Sequence, residues 1–134
     1  MPTLFESRTV SIRINCPLQR AYAFLARPEN IPQWASGLGD SMRRDGEVWI
    51  AETPHGPLKV RFTAPNDFGV LDHCVILDSG DEVTIPMRAI ANGDGCEILL
   101  TLLRLPAMSD QKFAADIAWV QRDLLALKTL LEAA

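Results

Sequence analysis

Ala21-Tyr-Ala-Phe-Leu-Ala-Arg-Pro-Glu-Asn-Ile-Pro-Gln-Trp34 is the stretch of sequence that decides the fold. Its first half has apolar residues at helical spacing, and Pro28 ends that helix because it forces Arg27 out of helical geometry. Pro32 limits any second helix to one or two turns. A large aromatic ring, Trp34, then stands in what should be a polar connection. We expect this ring at the mouth of an internal cavity, where it covers apolar surface and contacts a ligand.

Strand-like segments lie on both sides of this stretch. Upstream, apolar and polar residues alternate over residues 3–14, which is the period of a half-buried strand. Downstream, turn-forming residues separate six strand-like runs, near 40–45, 47–53, 57–64, 70–77, 81–91 and 95–105. No helix separates these six runs, so neighbouring strands should pair in antiparallel fashion.

A long amphipathic helix closes the chain. Ser109 is a good N-cap, and apolar residues then recur at steps of four and three: Phe113, Ile117, Val120, Leu124, Leu127 and Leu131. The sequence therefore predicts an α+β fold with one domain over residues 1–134. A curved seven-stranded antiparallel sheet wraps around the C-terminal helix, and two short helices connect strands one and two.

The Asn92-Gly93 turn predicts which side chains face the interior. These residues are typical of a two-residue type I′ loop, which places Met87 opposite Ile98 and Ile85 opposite Leu100. The face that carries these four side chains is apolar. Met87 lies at its centre and suits an adaptable ligand-binding surface.

The Asp78-Ser79-Gly80 turn predicts the orientation of a histidine. A three-residue loop pairs Leu77 with Asp81 and turns His73 inward. Asp72 then lies outside, in a charged row with Arg88 and Glu97. Adjacent strand residues point to opposite faces, so we reject an Asp72–His73 acid–base dyad. A two-residue loop remains open and would reverse both orientations.

The orientation of Trp49 depends on the loop at residues 54–56. A three-residue loop points Trp49 outward beside Arg61, whereas a two-residue loop points it inward beside Phe62. We favour the inward orientation. Trp119, on the flank of the closing helix, is expected to pack against the short helices.

Composition excludes several classes of function. A net charge of -4 and a pI near 5.1 argue against a partner nucleic acid, whose binding needs basic groups. Neither a signal peptide nor a run of 18 apolar residues is visible, so we expect a cytoplasmic protein without membrane insertion. Three cysteines without CxxC spacing suggest neither a disulfide framework nor a metal site, and we expect no cofactor.

The opening stretch, with its Pro-x-Asn-x-x-x-Trp connection after the first helix, resembles the SRPBCC superfamily, the START, Bet v 1 and polyketide cyclase/dehydrase group. The resemblance covers nearly the whole chain, since the later strands and closing helix match the helix-grip order. It implies a deep cavity between sheet and helix that holds lipids, sterols or polyketides, with catalysis in some members. The iron ligands of Rieske oxygenases have no match, because His55 and His73 are the only histidines.

Two kinds of function, binding and catalysis, therefore lead. The first is a carrier or sensor of a small hydrophobic ligand; the second is a polyketide cyclase or dehydratase in which His73 acts as the base. An interaction module is a third hypothesis and ranks last, since no broad exposed apolar patch is apparent. A homodimer remains open. The candidate ligand-binding residues are Trp34, Trp49, Phe62, His73, Met87, Leu100 and Val120.

Overall fold

The computed structural model describes residues 4–36, 41–53 and 56–133. These described residues form eight strands, two α-helices and one 3₁₀ helix between the first helix and the second strand. The strands are β1 (Ser7–Ile14), β2 (Ser41–Asp45), β3 (Val48–Thr53), β4 (Gly56–Phe62), β5 (His73–Ile76), β6 (Glu82–Ile85), β7 (Met87–Asn92) and β8 (Gly95–Leu103). The helices are α1 (Leu18–Leu25), the 3₁₀ helix (Pro28–Gln33) and α2 (Asp110–Glu132).

The strands form two antiparallel sheets, so the prediction of one seven-stranded sheet was wrong. One sheet has the order β1-β8-β7 and the other the order β2-β3-β4-β5-β6. The predicted strand over residues 81–91 is interrupted at Pro86, which has no N–H to donate to a ladder. Before Pro86 the chain pairs with β5, and after it the chain pairs with β8. An isolated bridge pairs Val70, which precedes β5, with Arg88 of β7.

The β7–β8 hairpin has the predicted faces but a different register. Met87 lies opposite Leu100, not Ile98, and Ile85 pairs with His73, not with Leu100. The pairing is displaced by two residues, which leaves every side chain on its predicted face. The loop consists of Gly93 and Asp94, with Gly93 at a φ of 58°, as a type II′ turn requires at this position.

The charged row on the outer face is only partly present. The carboxylate of Asp72 pairs with the guanidinium of Arg88 and also accepts a 2.7 Å hydrogen bond from the Met87 amide. Glu97, however, lies opposite Ile90, so the predicted Arg88–Glu97 pair was wrong. The changed register of the hairpin explains this difference.

The three-residue Asp78-Ser79-Gly80 loop is confirmed. The amide of Leu77 donates to the oxygen of Asp81 at 2.9 Å, and His73 pairs with Ile85 as expected. Gly80 adopts a φ of 92°, the left-handed region that glycine enters without steric cost.

Helix α2 packs on the concave side of the sheets. Its first turn is capped as predicted, since the Ser109 hydroxyl accepts a 3.0 Å hydrogen bond from the Lys112 amide. Its buried residues Leu124 and Leu127 belong to the same apolar core as Ile98 of β8. The other half of α2, nearer its N-terminus, faces a cavity.

Candidate ligand cavity

A cavity of about 470 Å³ lies between the N-terminal half of α2 and the strands β6 and β8. Pockets of roughly 300–1,000 Å³ are typical of small-molecule sites. The sheet contributes mostly aliphatic side chains, and the helix contributes aromatic, aliphatic and charged ones. The lining residues are Trp34, Ala35, His73, Val83, Thr84, Ile85, Leu100, Thr101, Leu102, Leu103, Leu105, Met108, Lys112, Phe113, Asp116, Trp119, Val120 and Asp123.

The periods of strand and helix explain this apolar lining. Leu100 and Leu102 are two residues apart on β8 and therefore share a face, as Val83 and Ile85 do on β6. Phe113 and Val120 are seven residues apart on α2, so they lie on one side of the helix.

A hydrogen-bonded network ties the 3₁₀ region to α2 at one side of the cavity. The hydroxyl of Ser36 donates to Asp123 Oδ1 at 2.9 Å, and the Ser36 amide donates to the same oxygen at 3.3 Å. The indole N–H of Trp119 donates to the Ser36 hydroxyl at 3.1 Å, and the guanidinium of Arg122 lies 5.3 Å from the Trp119 ring. Asp123 is only 8% exposed, so these donors stabilise a buried carboxylate.

Two charged side chains of α2 also line this cavity. Lys112 Nζ lies 2.6 Å from Asp116 Oδ1, an ion pair between residues one helical turn apart. The Lys112 side chain is mostly exposed, which places this pair where the cavity meets solvent.

A second cavity of about 30 Å³ lies where α1, the 3₁₀ helix and the sheets meet. Trp34 and His73 line both this cavity and the larger one, so the two cavities adjoin at these residues. The remaining residues around the small cavity are Tyr22, Leu25, Ala26, Ile31, Phe62, Thr63, Leu71, Asp72 and Met87.

His73 is held in one orientation by its surroundings. Its Nδ1 atom lies 3.1 Å from the backbone oxygen of Leu71, and its ring centroid lies 5.6 Å from that of Phe62. A carbonyl oxygen only accepts, so Nδ1 carries the proton of the neutral ring and the lone pair is on Nε2. Burial lowers the pKa of His73, and the Leu71 hydrogen bond and the Asp72 charge oppose that shift.

Trp34 presents a polar atom without a partner. The side chain is 9% exposed, and none of the described residues accepts a hydrogen bond from its Nε1. A buried donor that has no acceptor costs roughly 1–3 kcal/mol of stability. Such an atom at a cavity wall is therefore a candidate contact for a bound molecule.

The structure places the predicted ligand-binding residues in three groups. Trp34 and His73 line both cavities, Leu100 and Val120 line the large one, and Phe62 and Met87 line the small one; Phe62 and His73 also border a further pocket of about 210 Å³. Trp49 lines neither.

The loop that follows β3 decides the position of Trp49. Thr53 pairs with Gly56, and Trp49 pairs with Val60, while residues 54 and 55 of the predicted loop lie outside the described residues. In this register Trp49 lies on the same face of the sheet as Phe62, which is the inward orientation that we favoured. Its direct neighbour on β4 is Val60, however, and Arg61 points to the opposite face.

Sequence reasoning missed the roles of Trp119, Ser36 and Asp123. Trp119 was expected to pack against the short helices, whereas its ring lines the large cavity and is 44% exposed. The available signal was helical spacing, since Trp119 and Asp123 are one turn apart and share a side of α2. Asp123 follows the apolar Val120 by three residues, which places a carboxylate beside the predicted apolar stripe.

Among the described residues, no three or more His, Cys, Asp or Glu side chains cluster to hold a metal ion. No helix in the described parts of the chain is long and apolar enough to cross a membrane.

No protein-family model matches the sequence, and no curated protein matches it. Solved structures, by contrast, resemble it over almost its whole length. A START superfamily protein from Mycobacterium smegmatis is 10% identical, with 95% of this chain and 97% of that chain covered and a TM-score of 0.71. Ara h 8.0201 is 11% identical, with coverages of 96% and 99% and a TM-score of 0.67.

A third similar structure is DynU16, a protein in the dynemicin biosynthetic locus. It is 13% identical, and the match covers 98% of this chain but 48% of that chain, with a TM-score of 0.71. These three likenesses show the fold alone: the chain has the fold of a START superfamily protein and of Ara h 8.0201, as the resemblance of its opening stretch implied.

Proposed function

We propose that this protein binds a small, largely apolar molecule in the cavity between the sheets and α2, as a carrier or sensor. The observation that carries the proposal is the large cavity itself, whose sheet side is formed by Val83, Ile85, Leu100 and Leu102. An aliphatic wall of this kind favours apolar surface, because each square ångström removed from water contributes about 25 cal/mol.

The openness of the site to solvent agrees with reversible binding. Trp119 is partly exposed beside the cavity, and its N–H is held by Ser36. An indole ring in this position covers part of the bound molecule and leaves a path for exchange.

The experiment that tests the proposal is native mass spectrometry of protein purified without detergent, followed by extraction of any bound molecule. A second readout is titration with the neutral fluorophore N-phenyl-1-naphthylamine. Two variants form a matched pair: Leu102→Trp fills the cavity, while Leu125→Trp adds the same ring on the exposed side of α2.

We expect binding by the wild type and by Leu125→Trp, and at least tenfold weaker binding by Leu102→Trp. Equal binding by the two variants would place the molecule elsewhere and refute the proposal. So would a wild-type protein that carries no molecule and does not bind the fluorophore.

A second candidate function is a polyketide cyclase or dehydratase that uses His73 as a general base. The observation that favours it is the free Nε2 lone pair of a largely buried, neutral imidazole beside the large cavity. A base in this position removes a proton from a carbon next to a carbonyl group and returns it during loss of water. His73→Gln should then abolish turnover of a polyketone substrate while its binding persists; undiminished turnover would exclude this role.

A further inference from the structure

Two polar atoms without protein partners belong to side chains that line the small cavity. His73 Nε2 is an acceptor, because Nδ1–H is directed to the Leu71 oxygen, and no described residue donates to Nε2. Trp34 Nε1–H is a donor that no described residue accepts. The side chains of both residues line the small cavity and also the adjoining large one.

The size of the small cavity restricts what these atoms bind. A volume of about 30 Å³ is room for one water molecule or one hydroxyl group. A molecule in the large cavity reaches this position with one polar end and leaves its apolar body beside β6 and β8.

We propose that the ligand is a neutral molecule with a hydroxyl group on an apolar body. Its hydroxyl group lies in the small cavity, donates to His73 Nε2 and accepts from Trp34 Nε1–H. This inference rests on the proposed binding function and names the chemical class of the ligand.

Other oxygen-containing groups fit these two atoms less well. A ketone or an ether accepts from Trp34 but has no hydrogen for His73 Nε2. A carboxylate also lacks that hydrogen, and its charge would leave water without a cation to pair with, since the lining residues of the small cavity include no Lys or Arg and Arg88 already pairs with Asp72. A hydroxyl group alone is donor and acceptor at once.

The protonation state of the imidazole agrees with this selection. Desolvation lowers the pKa of His73, so its ring is neutral at pH 7 and its lone pair is available. Protonation of His73 would turn Nε2 into a donor, and the site would then favour groups that only accept, such as a ketone, an ether or a carboxylate.

The test uses four compounds with one ring system: 2-naphthol, 2-methoxynaphthalene, naphthalene and 2-naphthoate. Isothermal titration calorimetry at pH 7.5 gives a Kd for each with the wild type, His73→Phe, Trp34→Phe and the control Leu125→Met. The control lies on the exposed side of α2 and lines neither cavity. Thermal melts verify that each variant is folded, and His73→Gln serves as a second variant, since its amide oxygen restores an acceptor.

We expect the wild type to bind 2-naphthol about tenfold more tightly than 2-methoxynaphthalene and naphthalene, and 2-naphthoate most weakly. His73→Phe should remove the preference for naphthol over its methyl ether, His73→Gln should restore part of it, and Leu125→Met should keep it. Trp34→Phe should weaken naphthol and the ether together, relative to naphthalene.

Equal affinities for the four compounds, with no change in His73→Phe, would mean that the small cavity holds only a resident water. That result would overturn the hydroxyl inference and leave the binding function intact. Absence of binding by all four compounds, together with absence of N-phenyl-1-naphthylamine binding, would refute both.

Discussion

The Nδ1 atom of His73 lies 3.1 Å from the backbone oxygen of Leu71, two residues earlier in the chain. This contact fixes the tautomer that has its proton on Nδ1, while burial of the ring favours its neutral form. The structure therefore links a candidate ligand contact to the pH dependence of folding.

The first prediction concerns that pH dependence. The pKa of His73 is lowered on folding, so between its folded value and the ordinary value near 6.5 the unfolded chain binds more protons. The free energy of unfolding should therefore fall as pH is lowered from 7 through 6.5 towards the folded pKa of His73. Urea unfolding at several pH values measures it, and His73→Gln should have a flatter profile across this interval.

Neither His55 nor Glu132 obscures this comparison between the wild type and His73→Gln. His55 is unchanged in the variant, so its contribution cancels in the comparison. The Lys128 ion pair lowers the pKa of Glu132 below its usual value near 4.5, so stability from Glu132 is lost only in more acidic solution. Parallel profiles for wild type and His73→Gln would contradict the prediction.

The second prediction concerns Ser36. Its hydroxyl donates to the buried Asp123 and accepts from Trp119, so Ser36→Ala removes two hydrogen bonds. We expect a loss of about 1–3 kcal/mol in the free energy of unfolding, because Asp123 is left with fewer donors. Ser7→Ala, at the exposed start of β1, is the control and should change stability by less than about 0.5 kcal/mol.

The third prediction concerns Trp119 beside the large cavity. Trp119→Ala should weaken binding of N-phenyl-1-naphthylamine by about three- to tenfold, because the ring covers part of the cavity. Trp119→Phe retains an aromatic cover and should bind nearly as well as the wild type. If Trp119→Ala binds with unchanged affinity, the ring is not part of the binding site.

The fourth prediction compares two glycines with the same backbone conformation. Gly69 and Gly46 have φ values of 71° and 65°, but a Cβ at Gly69 would lie 2.1 Å from the backbone oxygen of Ala89, whereas one at Gly46 would meet nothing within 4 Å. Gly69→Ala should cost about 3 kcal/mol or more, from strain and backbone displacement together. Gly46→Ala should cost only the strain, about 1–2 kcal/mol. If both variants lose similar free energies of unfolding in urea, the backbone segments at Gly69 and Ala89 do not approach each other this closely.

Much of the fold could be predicted because period, prolines and caps are local signals. The break of α1 before Pro28 and the cap at Ser109 depend on a few neighbouring residues. The division of the strand at Pro86 was overlooked, although a proline inside a predicted central strand is a known sign of a break.

The register of the β7–β8 hairpin could not be read from its turn. Asn92-Gly93-Asp94-Gly95 contains two glycines and therefore permits more than one tight loop. Tertiary contact decides between them, since a Cβ at Gly95 would lie 2.7 Å from the oxygen of Ile14. Gly95 must therefore occupy the start of β8, against the end of β1.

The candidate site, too, could be predicted only in part. The inward orientation of His73 followed from one loop, and the apolar stripe of α2 followed from its period. The hydrogen bonds of Trp119 and Asp123 to Ser36 could not be predicted, because Ser36 lies far away in the sequence, in a connection without a periodic pattern.

Pro86 gives this architecture a property of its own. β6, before Pro86, supplies Val83, Thr84 and Ile85 to the large cavity, whereas β7, after it, supplies Met87 to the small one. Pro86 itself is not among the residues that line either cavity, so the position that divides the two walls lies outside both linings. Substitutions within β6 therefore alter the large cavity, and substitution of Met87 alters the small one.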